Sequence, residues 1–312
     1  MAPPLPPKGI YTPLPTFFKN DDEYSIDFET QLKHFDYIQK SGVSGVLVGG
    51  SNGEAIHLSK DERHSVVKAV RERCTDKDFV IMAGVVGVSI SEIVADIAQL
   101  KTLGANYAVL LVPGYYGTTL TKQQGIIDWF ATIANKAAIP LIIYNYPGVQ
   151  NGIDLTYDSY LTLSAHENIV GCKLTHYNFP LYTLLCQSSQ LKANNFRNLA
   201  GVGQVLLPGL SVGVEGCIDG LSNIFPKSMV KIFNDYSAGN VAEAQELQGL
   251  VTLVNEMTAV LNILGLKYGI KYALGLGAVV HGRPPLNQDI DINVWNKYLP
   301  AFNKLLEIEK GL

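Results

Sequence analysis

SGVLVGGSNGE, residues 44–54, joins a short apolar run to a loop of glycines and small polar residues. The run has the length of a buried strand, because about four to eight continuous apolar residues suit a strand covered on both faces. The loop leaves much backbone accessible, which suits anion binding, and it also satisfies the G-x-S-x-G pattern of a nucleophilic serine. The rest of the chain has to decide between these two interpretations.

Similar apolar runs recur along the chain, eight in all, and they alternate with segments of helical periodicity. They begin about 30 residues apart, which is the length of one βα unit. Eight such units predict a (β/α)8 barrel, in which catalytic groups belong at the carboxyl ends of the strands. A doubly wound open sheet is the alternative. It would need a glycine fingerprint after the first strand, and YTPLPTFF (11–18) has none.

No strand pattern follows the eighth unit. The remaining residues carry an apolar face at helical spacing, formed by Leu247, Leu250, Val254, Met257 and Leu261. We therefore expect a barrel with the catalytic site in residues 1–237 and a C-terminal helical extension in residues 238–312.

Composition excludes several classes of protein. The 312 residues are 47% hydrophobic and 17% charged, with a formal net charge of −4, which suits a compact soluble protein. No Lys/Arg block stands out, so no nucleic-acid partner is expected. No apolar run reaches the ~18 residues of a membrane span. The start, MAPPLPPKG, has neither the apolar core of a secretory signal nor the features of a transit peptide, which predicts a cytoplasmic protein.

The cysteines and histidines give no sign of a metal site. The four cysteines form no C-x-x-C pair, and the six histidines show no H-x-x-x-H spacing. We therefore expect no metal and no cofactor.

Lys173 is the most unusual residue of the predicted barrel. It lies within NIVGCKLT (168–175), an otherwise apolar strand, where an inward-facing amine would lose much of its hydration. Desolvation lowers the pKa of an ammonium group, as a Schiff-base nucleophile requires. A lysine paired with a carboxylate, or one extending to the rim, is the structural alternative.

Tyr144 lies one βα unit before Lys173, near the end of the preceding predicted strand. A phenol beside a desolvated amine can move protons at a carbinolamine or an aldol oxygen. The loop at 49–54 would then hold a substrate carboxylate through Ser51, Asn52 and the backbone that Gly50 leaves accessible. Together these groups fit a small 2-oxo acid that is bound by its carboxylate and attacked at its carbonyl.

Three motifs together resemble one enzyme family. GSNGE at 50–54, YNYP at 144–147 and GCK at 171–173 are similar, in order and spacing, to those of the dihydrodipicolinate synthase/N-acetylneuraminate lyase family. The tail GIKYALGLGAVVHGRPPL (269–286) also resembles the C-terminal segment of that family. The likeness covers essentially the whole chain. It implies a (β/α)8 barrel with C-terminal helices, a Schiff base with pyruvate or a pyruvate-like end, and no cofactor.

The resemblance also implies roles for individual residues. Lys173 would form the Schiff base and Tyr144 would relay protons. Ser51 and Asn52 would bind the carboxylate, and Gly201 and Ile218 would line the pocket through backbone atoms. Tyr116, or its neighbour Tyr115, would match the tyrosine that in many members reaches a neighbouring subunit's site. Members are often homotetramers or homodimers, so we expect an oligomer.

Departures from the family patterns bear on the substrate. Dihydrodipicolinate synthases usually carry an arginine soon after Y-N-x-P, and here Val149 lies near that position. N-acetylneuraminate lyases usually carry acidic residues after strand seven, where this chain reads AGVGQV (200–205). The motifs are more similar to the branch of 4-hydroxy-2-oxoglutarate aldolases and 2-keto-3-deoxy-sugar-acid aldolases. We therefore predict a carbon–carbon lyase that cleaves a 4-hydroxy-2-oxo acid to pyruvate and an aldehyde.

Other functions stay open at this point. The dihydrodipicolinate synthase-type condensation of pyruvate with an aldehyde is the first alternative. A serine hydrolase using Ser51 is a more distant one, because the helix expected directly after a nucleophile elbow begins only near Ser59. A non-enzymatic sensor of 2-oxo acids on the same barrel is the third.

Overall fold

The structure is a computed structural model that describes residues 3–312. Eight parallel strands form a closed barrel in which each strand pairs with the next and the eighth pairs with the first. The predicted (β/α)8 fold is therefore confirmed. The strands are β1 (Gly9–Pro13), β2 (Gly45–Val48), β3 (Val80–Val85), β4 (Tyr107–Leu111), β5 (Leu141–Asn145), β6 (Ile169–Leu174), β7 (Arg197–Ala200) and β8 (Gly216–Ile218).

Helices alternate with the strands and then continue past the barrel. Their apolar faces pack on the outside of the sheet, as the covered faces of a parallel barrel require. The helices are α1 (Phe28–Gln39), α2 (Lys60–Arg73), α3 (Ile90–Thr102), α4 (Gly117–Leu120), α5 (Gln123–Ala134), α6 (Tyr157–Ser164), α7 (Phe179–Gln187), α8 (Ser189–Ala193), α9 (Leu206–Val212), α10 (Pro226–Ala238), α11 (Val241–Leu274) and α12 (Ile292–Gly311).

The strand register sets two polar side chains next to each other at the carboxyl end of the barrel. Tyr144 of β5 pairs with Lys173 of β6. The rest of the interior cluster is mostly aliphatic and includes the fully buried Leu47, Met82 and Ile142. Because these side chains fill the barrel, the polar pair belongs to a packed interior and not to an open pore.

The N-terminal segment closes the opposite end of the barrel. The hydroxyl of Tyr11 donates to the carbonyl of Pro7 at 2.6 Å, and that of Tyr107 donates to Pro4 at 3.1 Å. Arg197 Nε donates to the carbonyl of Pro6 at 3.0 Å. Proline carbonyls thus satisfy polar groups that the barrel would otherwise bury unpaired.

Helix α11 is the longest element and crosses the carboxyl end of the barrel. Its helical geometry is broken at Asn262, where φ is 53° and ψ is −141°. Within residues 3–312 it is the one helix long and apolar enough to cross a membrane by length and composition. Core helices of soluble proteins pass the same test, and α11 packs against α10 and α12.

The last helix is held to the barrel by a buried carboxylate. Glu309 of α12 accepts the backbone N–H groups of Lys227 and Ser228 at the start of α10, at 2.9 and 2.8 Å. It thereby satisfies donors that have no partner within α10. The division into a barrel (1–237) and a helical extension (238–312) stays a prediction.

Candidate active site

Lys173 is buried in the barrel without a counterion. Its side chain is only 4% exposed, and no carboxylate among the described residues lies within ion-pair distance of it. Its Nζ lies 4.1 Å from the centre of the Tyr144 ring, within the range of a cation–π contact. The amine is therefore held in place by packing, and no fixed anion occupies its position of attack.

Tyr144 connects the amine to the glycine-rich loop. Its hydroxyl lies 3.3 Å from Ser51 Oγ, and either group can be the donor. Tyr144 itself is 6% exposed, so this hydroxyl pair is largely screened from bulk water. Amine, phenol and serine hydroxyl thus form one contiguous polar group inside an apolar barrel.

Two tight turns shape the loop at residues 49–54. The N–H of Gly53 donates to the carbonyl of Gly50, and that of Glu54 donates to Ser51, both at 3.0 Å. Gly49 adopts φ +69°, a left-handed conformation that glycine tolerates without strain. Within the described structure, the N–H groups of Ser51 and Asn52 have no backbone acceptor in these turns. The turns of the loop therefore leave both N–H groups without an acceptor, and their predicted role in anion binding stays a prediction.

A cavity of about 320 Å³ opens at this end of the barrel. It brings together six of the residues that the sequence singled out, while Gly50 lies in the adjoining loop outside the lining. The six are Ser51, Asn52, Tyr144, Lys173, Gly201 and Ile218. The arrangement can bind a carboxylate next to an amine and a phenol, which is what attack on a 2-oxo acid needs.

Tyr116 does not reach this cavity within its own chain. It is 69% exposed, and its ring stacks edge-on against Tyr115 with the ring centres 5.2 Å apart. Both tyrosines lie beyond the carboxyl end of β4. Their predicted role depends on a second copy of the chain and stays a prediction.

Several lining residues were missed by the sequence reasoning. Tyr146, Thr175 and Tyr177 follow β5 and β6, and a second set comes from α11. That second set is Asn255, Thr258 and Asn262. These three polar residues repeat at helical spacing within an apolar helix, which is the signal that could have identified them.

The surroundings of Ser51 differ from those of a hydrolase nucleophile. Ser51 has Tyr144 as its side-chain partner and not a histidine. GLSVG at 209–213 also has the G-x-S-x-G pattern, and its Ser211 donates to the carbonyl of Pro208 at 2.6 Å. His176 packs against the Tyr182 ring at 5.1 Å and does not line the cavity; burial lowers the pKa of its imidazole. In residues 3–312 no group of three His, Cys, Asp or Glu could hold a metal.

A buried ion pair supports the loop from behind. Glu54, the last residue of the loop, accepts a hydrogen bond from Lys267 of α11, and both side chains are about 1% exposed. Lys267 Nζ also lies 4.4 Å from the Phe18 ring centre and 3.3 Å from the carbonyl of His281. Burial lowers the pKa of Lys267, and Glu54 opposes this effect. The pair ties the loop to the helix that covers the cavity.

The C-terminal segment packs on the same pair. A side chain at Gly282 would collide with the Glu54 carboxylate, so a larger residue there would displace Glu54 from its buried position. The next residue, Arg283, donates to both oxygens of Glu62 on α2, at 2.9 and 2.5 Å. This Arg283 contact holds the pKa of Glu62 at about 2. The family-like tail thus serves to position the loop.

Asp219, just after β8, is a buried carboxylate whose pKa is affected by the charge of Lys173. It is 1% exposed, and its Oδ1 accepts the N–H of Ser222 at 3.2 Å. Burial raises the pKa of Asp219 to about 6, while hydrogen bonds from the following turn and the charge of Lys173 limit the rise. No ion pair joins Asp219 to Lys173.

Comparisons with known proteins agree with this geometry. The model of the dihydrodipicolinate synthetase family matches residues 6–305. A relative from Hypocrea jecorina, L-threo-3-deoxy-hexylosonate aldolase, is 33% identical and aligns over 100% of both chains. A relative from Emericella nidulans, "Probable 4-hydroxy-2-oxoglutarate aldolase, mitochondrial", is 34% identical over 88% of this chain and 87% of its own. A solved dihydrodipicolinate synthase family structure from Coccidioides immitis superposes with a TM-score of 0.88 at 30% identity, covering 100% of both chains.

The same comparisons correct the predicted compartment. Relatives from Coccidioides immitis and Emericella nidulans have names that end in "mitochondrial", so the cytoplasmic prediction is wrong. That prediction rested on the first nine residues of the chain. The structure uses Pro4, Pro6 and Pro7 to close the barrel. The composition of this segment therefore reflects packing and carries little information about the compartment.

The fold, the motifs and the relatives thus all indicate the same protein family. The family model extends from before β1 into α12, so the match includes both the barrel and the helices after it. Relatives more than 30% identical align with more than two thirds of the chain. The chain belongs to the dihydrodipicolinate synthetase family.

Proposed function

We propose that this protein is a class I aldolase that cleaves a 4-hydroxy-2-oxo acid to pyruvate and an aldehyde. The observation that carries the proposal is the buried Lys173 amine, which has no counterion and lies against Tyr144. A lysine amine in its neutral form is the nucleophile that forms a Schiff base, and no carboxylate among the described residues forms an ion pair with Lys173.

The chemistry begins when Lys173 Nζ attacks the 2-oxo carbon and forms a carbinolamine. Tyr144 gives its proton to the departing hydroxyl, which leaves as water, and an iminium forms on the lysine. The tyrosine oxygen then takes the proton of the 4-hydroxyl while the C3–C4 bond breaks. The electron pair of that bond moves into the iminium, and the aldehyde leaves. No metal or organic cofactor is needed, because the iminium accepts the electrons.

The second half-reaction returns the enzyme to its starting state. Tyr144 protonates C3 of the enamine, and the iminium forms again. Water then adds at C2, its proton returns to the tyrosine oxygen, and pyruvate leaves with the lysine free. Ser51, at 3.3 Å from the phenol, orients this oxygen throughout the cycle.

The loop at residues 49–54 binds the substrate carboxylate. Ser51 and Asn52 line the cavity beside Lys173, and their N–H groups are not used by the loop's own turns. A carboxylate held there places the 2-oxo carbon next to the amine, which converts the attack into an intramolecular step. Gly50 contributes to this binding site through its carbonyl, which accepts the N–H of Gly53 and so closes the turn.

The names of the relatives and the residues that line the cavity together favour one class of substrate. Two similar relatives are named as aldolases for 4-hydroxy-2-oxoglutarate and for L-threo-3-deoxy-hexylosonate. Among the described residues, no arginine lines the cavity, and Val149 lies on the surface, 52% exposed. The condensation of pyruvate with an acidic aldehyde is therefore the less favoured alternative.

We also propose that the protein is a homotetramer or homodimer. The exposed pair Tyr115 and Tyr116 lies near Leu120, which is 70% exposed, so that an apolar surface follows β4. Such a surface marks a contact site more often than a free one. One similar structure, at 24% identity, is described as a monomeric dihydrodipicolinate synthase variant, so the assembly has to be measured by light scattering.

Borohydride trapping tests the function directly. The protein is incubated with pyruvate, reduced, digested and mapped by mass spectrometry. We expect one pyruvate-derived adduct, on the peptide that contains Lys173. The equally buried Lys267 is the internal control and should stay unmodified. An adduct elsewhere, or none while a known family enzyme labels, would end the aldolase proposal.

A further inference from the structure

The wall of the cavity opposite the barrel comes from α11. Asn255, Thr258 and Asn262 lie along one face of this helix and line the cavity. Residues at these spacings follow one another on one helix face. An otherwise apolar helix thus presents amide and hydroxyl groups to the space above Lys173.

One of these groups is the amide of Asn255. Asn255 is 6% exposed, and its side-chain amide makes no hydrogen bond within residues 3–312. Because Asn255 lines the cavity, a hydroxyl group of a ligand there can serve as the partner of this amide.

The break in α11 adds a third group to this wall. Asn262 is held at φ 53° and ψ −141°, and its Oδ1 accepts the N–H of Ile263 at 2.8 Å. Strained non-glycine residues persist where the surrounding structure needs them, and they concentrate at functional sites. Because the amide oxygen is occupied, the NH₂ group is the part of Asn262 that can bind a ligand oxygen.

The charges around the cavity oppose a second carboxylate on the substrate. Among residues 3–312, Lys173 is the one cationic side chain in the lining, and it is consumed in the Schiff base. At the rim, Tyr177 donates to Gln204 Oε1 at 2.6 Å, and Gln204 in turn donates to the carboxylate of Glu256. The lining residue Tyr177 is thus connected, through Gln204, to a negative charge.

We propose that this α11 wall is a subsite for a neutral, hydroxylated carbon chain. The preferred substrate is then a 2-oxo-3-deoxy sugar acid rather than the dicarboxylic 4-hydroxy-2-oxoglutarate. This inference rests on the proposed aldolase function and specifies the part of the substrate that becomes the aldehyde. Asn255 and Asn262 hold its hydroxyl groups, and the loop at 49–54 holds its single carboxylate.

The first test compares the two substrates on the intact protein. Pyruvate release is followed with 2-keto-3-deoxy-hexonates of either configuration at C4 and C5 and with 4-hydroxy-2-oxoglutarate. We expect kcat/KM for one of the sugar acids to exceed that for the dicarboxylate by about tenfold or more, the value of one or two hydrogen bonds. A preference for the dicarboxylate would overturn the subsite. Absence of turnover with all substrates and of the pyruvate adduct would instead overturn the aldolase function.

Asn255→Ala tests the subsite residue itself. We expect KM for the sugar acid to rise about tenfold through loss of a hydrogen bond. Borohydride trapping of pyruvate should be unchanged, because pyruvate does not reach the α11 wall. Glu246→Gln, on the exposed part of the same helix, is the matched control and should behave as the unsubstituted protein. An equal loss with both substrates and in pyruvate trapping would indicate a merely structural role and refute the assignment.

Ala259→Arg tests the charge argument in the opposite direction. Ala259 lines the cavity on α11 and is exposed, so a guanidinium can be added there without displacing the core. We expect the ratio of kcat/KM for the dicarboxylate over the sugar acid to rise about tenfold, since a charge-assisted contact is gained. A ratio that stays constant or falls, with pyruvate trapping intact, would contradict the proposal.

Discussion

Two lysines are buried to nearly the same degree in this protein and have opposite surroundings. Lys173 is 4% exposed and lies 4.1 Å from the centre of the Tyr144 ring, and Lys267 is 1% exposed and lies 4.4 Å from that of Phe18. Of these two, Lys267 alone has a carboxylate partner in the part of the chain that the structure describes, and that partner is Glu54. Both lysines are buried and have an aromatic neighbour, so these two features do not distinguish a reactive lysine. The missing counterion distinguishes Lys173 from Lys267.

The difference has an energetic meaning. A buried ion pair holds each charge in place, and the loss of one partner leaves the other uncompensated in a low dielectric. Removal of a buried amine that has no ion-pair partner leaves no opposite charge uncompensated. Lys267 should therefore matter mainly for stability, and Lys173 mainly for turnover.

The largest expected effect is the loss of turnover in Lys173→Met. This change keeps the apolar stem and removes the nucleophile, so turnover should fall on the order of 10⁶-fold, as when a covalent nucleophile is removed. The free energy of unfolding should stay equal or rise, because no partner is left unpaired. Pyruvate release and urea unfolding measure the two quantities. Marked destabilisation by Lys173→Met would abolish the contrast between the two lysines.

Tyr144→Phe should give the next largest effect. It removes the proton-relaying hydroxyl and leaves the ring against Lys173, so turnover should fall by about 10²- to 10⁴-fold. The pyruvate adduct should form more slowly under borohydride, because the hydroxyl also protonates the group that leaves when the iminium forms. An adduct that forms at the rate of the unsubstituted protein would show that another group protonates the departing hydroxyl.

Lys267→Met should give the opposite result to Lys173→Met. Removal of the amine leaves Glu54 buried and unpaired, which should lower the free energy of unfolding by about 3–5 kcal/mol. The double variant Glu54→Leu, Lys267→Met should recover most of this loss, because neither charge remains. Urea unfolding of Glu54→Leu, Lys267→Met and the double variant completes a double-mutant cycle, which measures the interaction free energy of the pair. A Lys267→Met protein of unchanged stability would show that the pair is not coupled to the fold.

The smallest expected effect concerns pH and Asp219. Burial raises its pKa from 3.8 to about 6, so the folded state favours the protonated carboxyl. The resulting stabilisation is fully present below the ordinary pKa and is lost as pH rises through about 6, a change of about 3 kcal/mol. Asp219→Asn should flatten stability across this window, as measured by urea unfolding at several pH values. Because the charge of Lys173 lowers this pKa, Lys173→Met should move the window upward.

The sequence predicts the barrel well because its signal is repeated. Eight apolar runs, each about one βα unit apart, leave few other topologies. Lys173 was found for a related reason, because a charged residue stands out in a buried strand. Lys267 was missed because lysine is common in helices, and its burial depends on how α11 packs against Glu54.

The rest of the site depends on distant parts of the chain. Asn255 and Asn262 line the cavity only because α11 crosses the end of the barrel and is broken at Asn262, and local sequence does not encode that crossing. The role of Tyr116 depends on a second subunit. The compartment was predicted wrongly because the missing targeting features of a segment that packs into the fold were taken as evidence for the cytoplasm.

The two tyrosines that donate hydrogen bonds to the N-terminal prolines can serve as an optical reporter of that segment. Tyr11 and Tyr107 donate their hydroxyls to Pro7 and Pro4, and burial raises the pKa of Tyr107 to about 12. Burial shifts the pKa of Tyr11 upward as well. Removal of the N-terminal segment would expose both phenols to water. An alkaline titration followed by tyrosine absorbance would therefore monitor whether that segment is in place, without any added label.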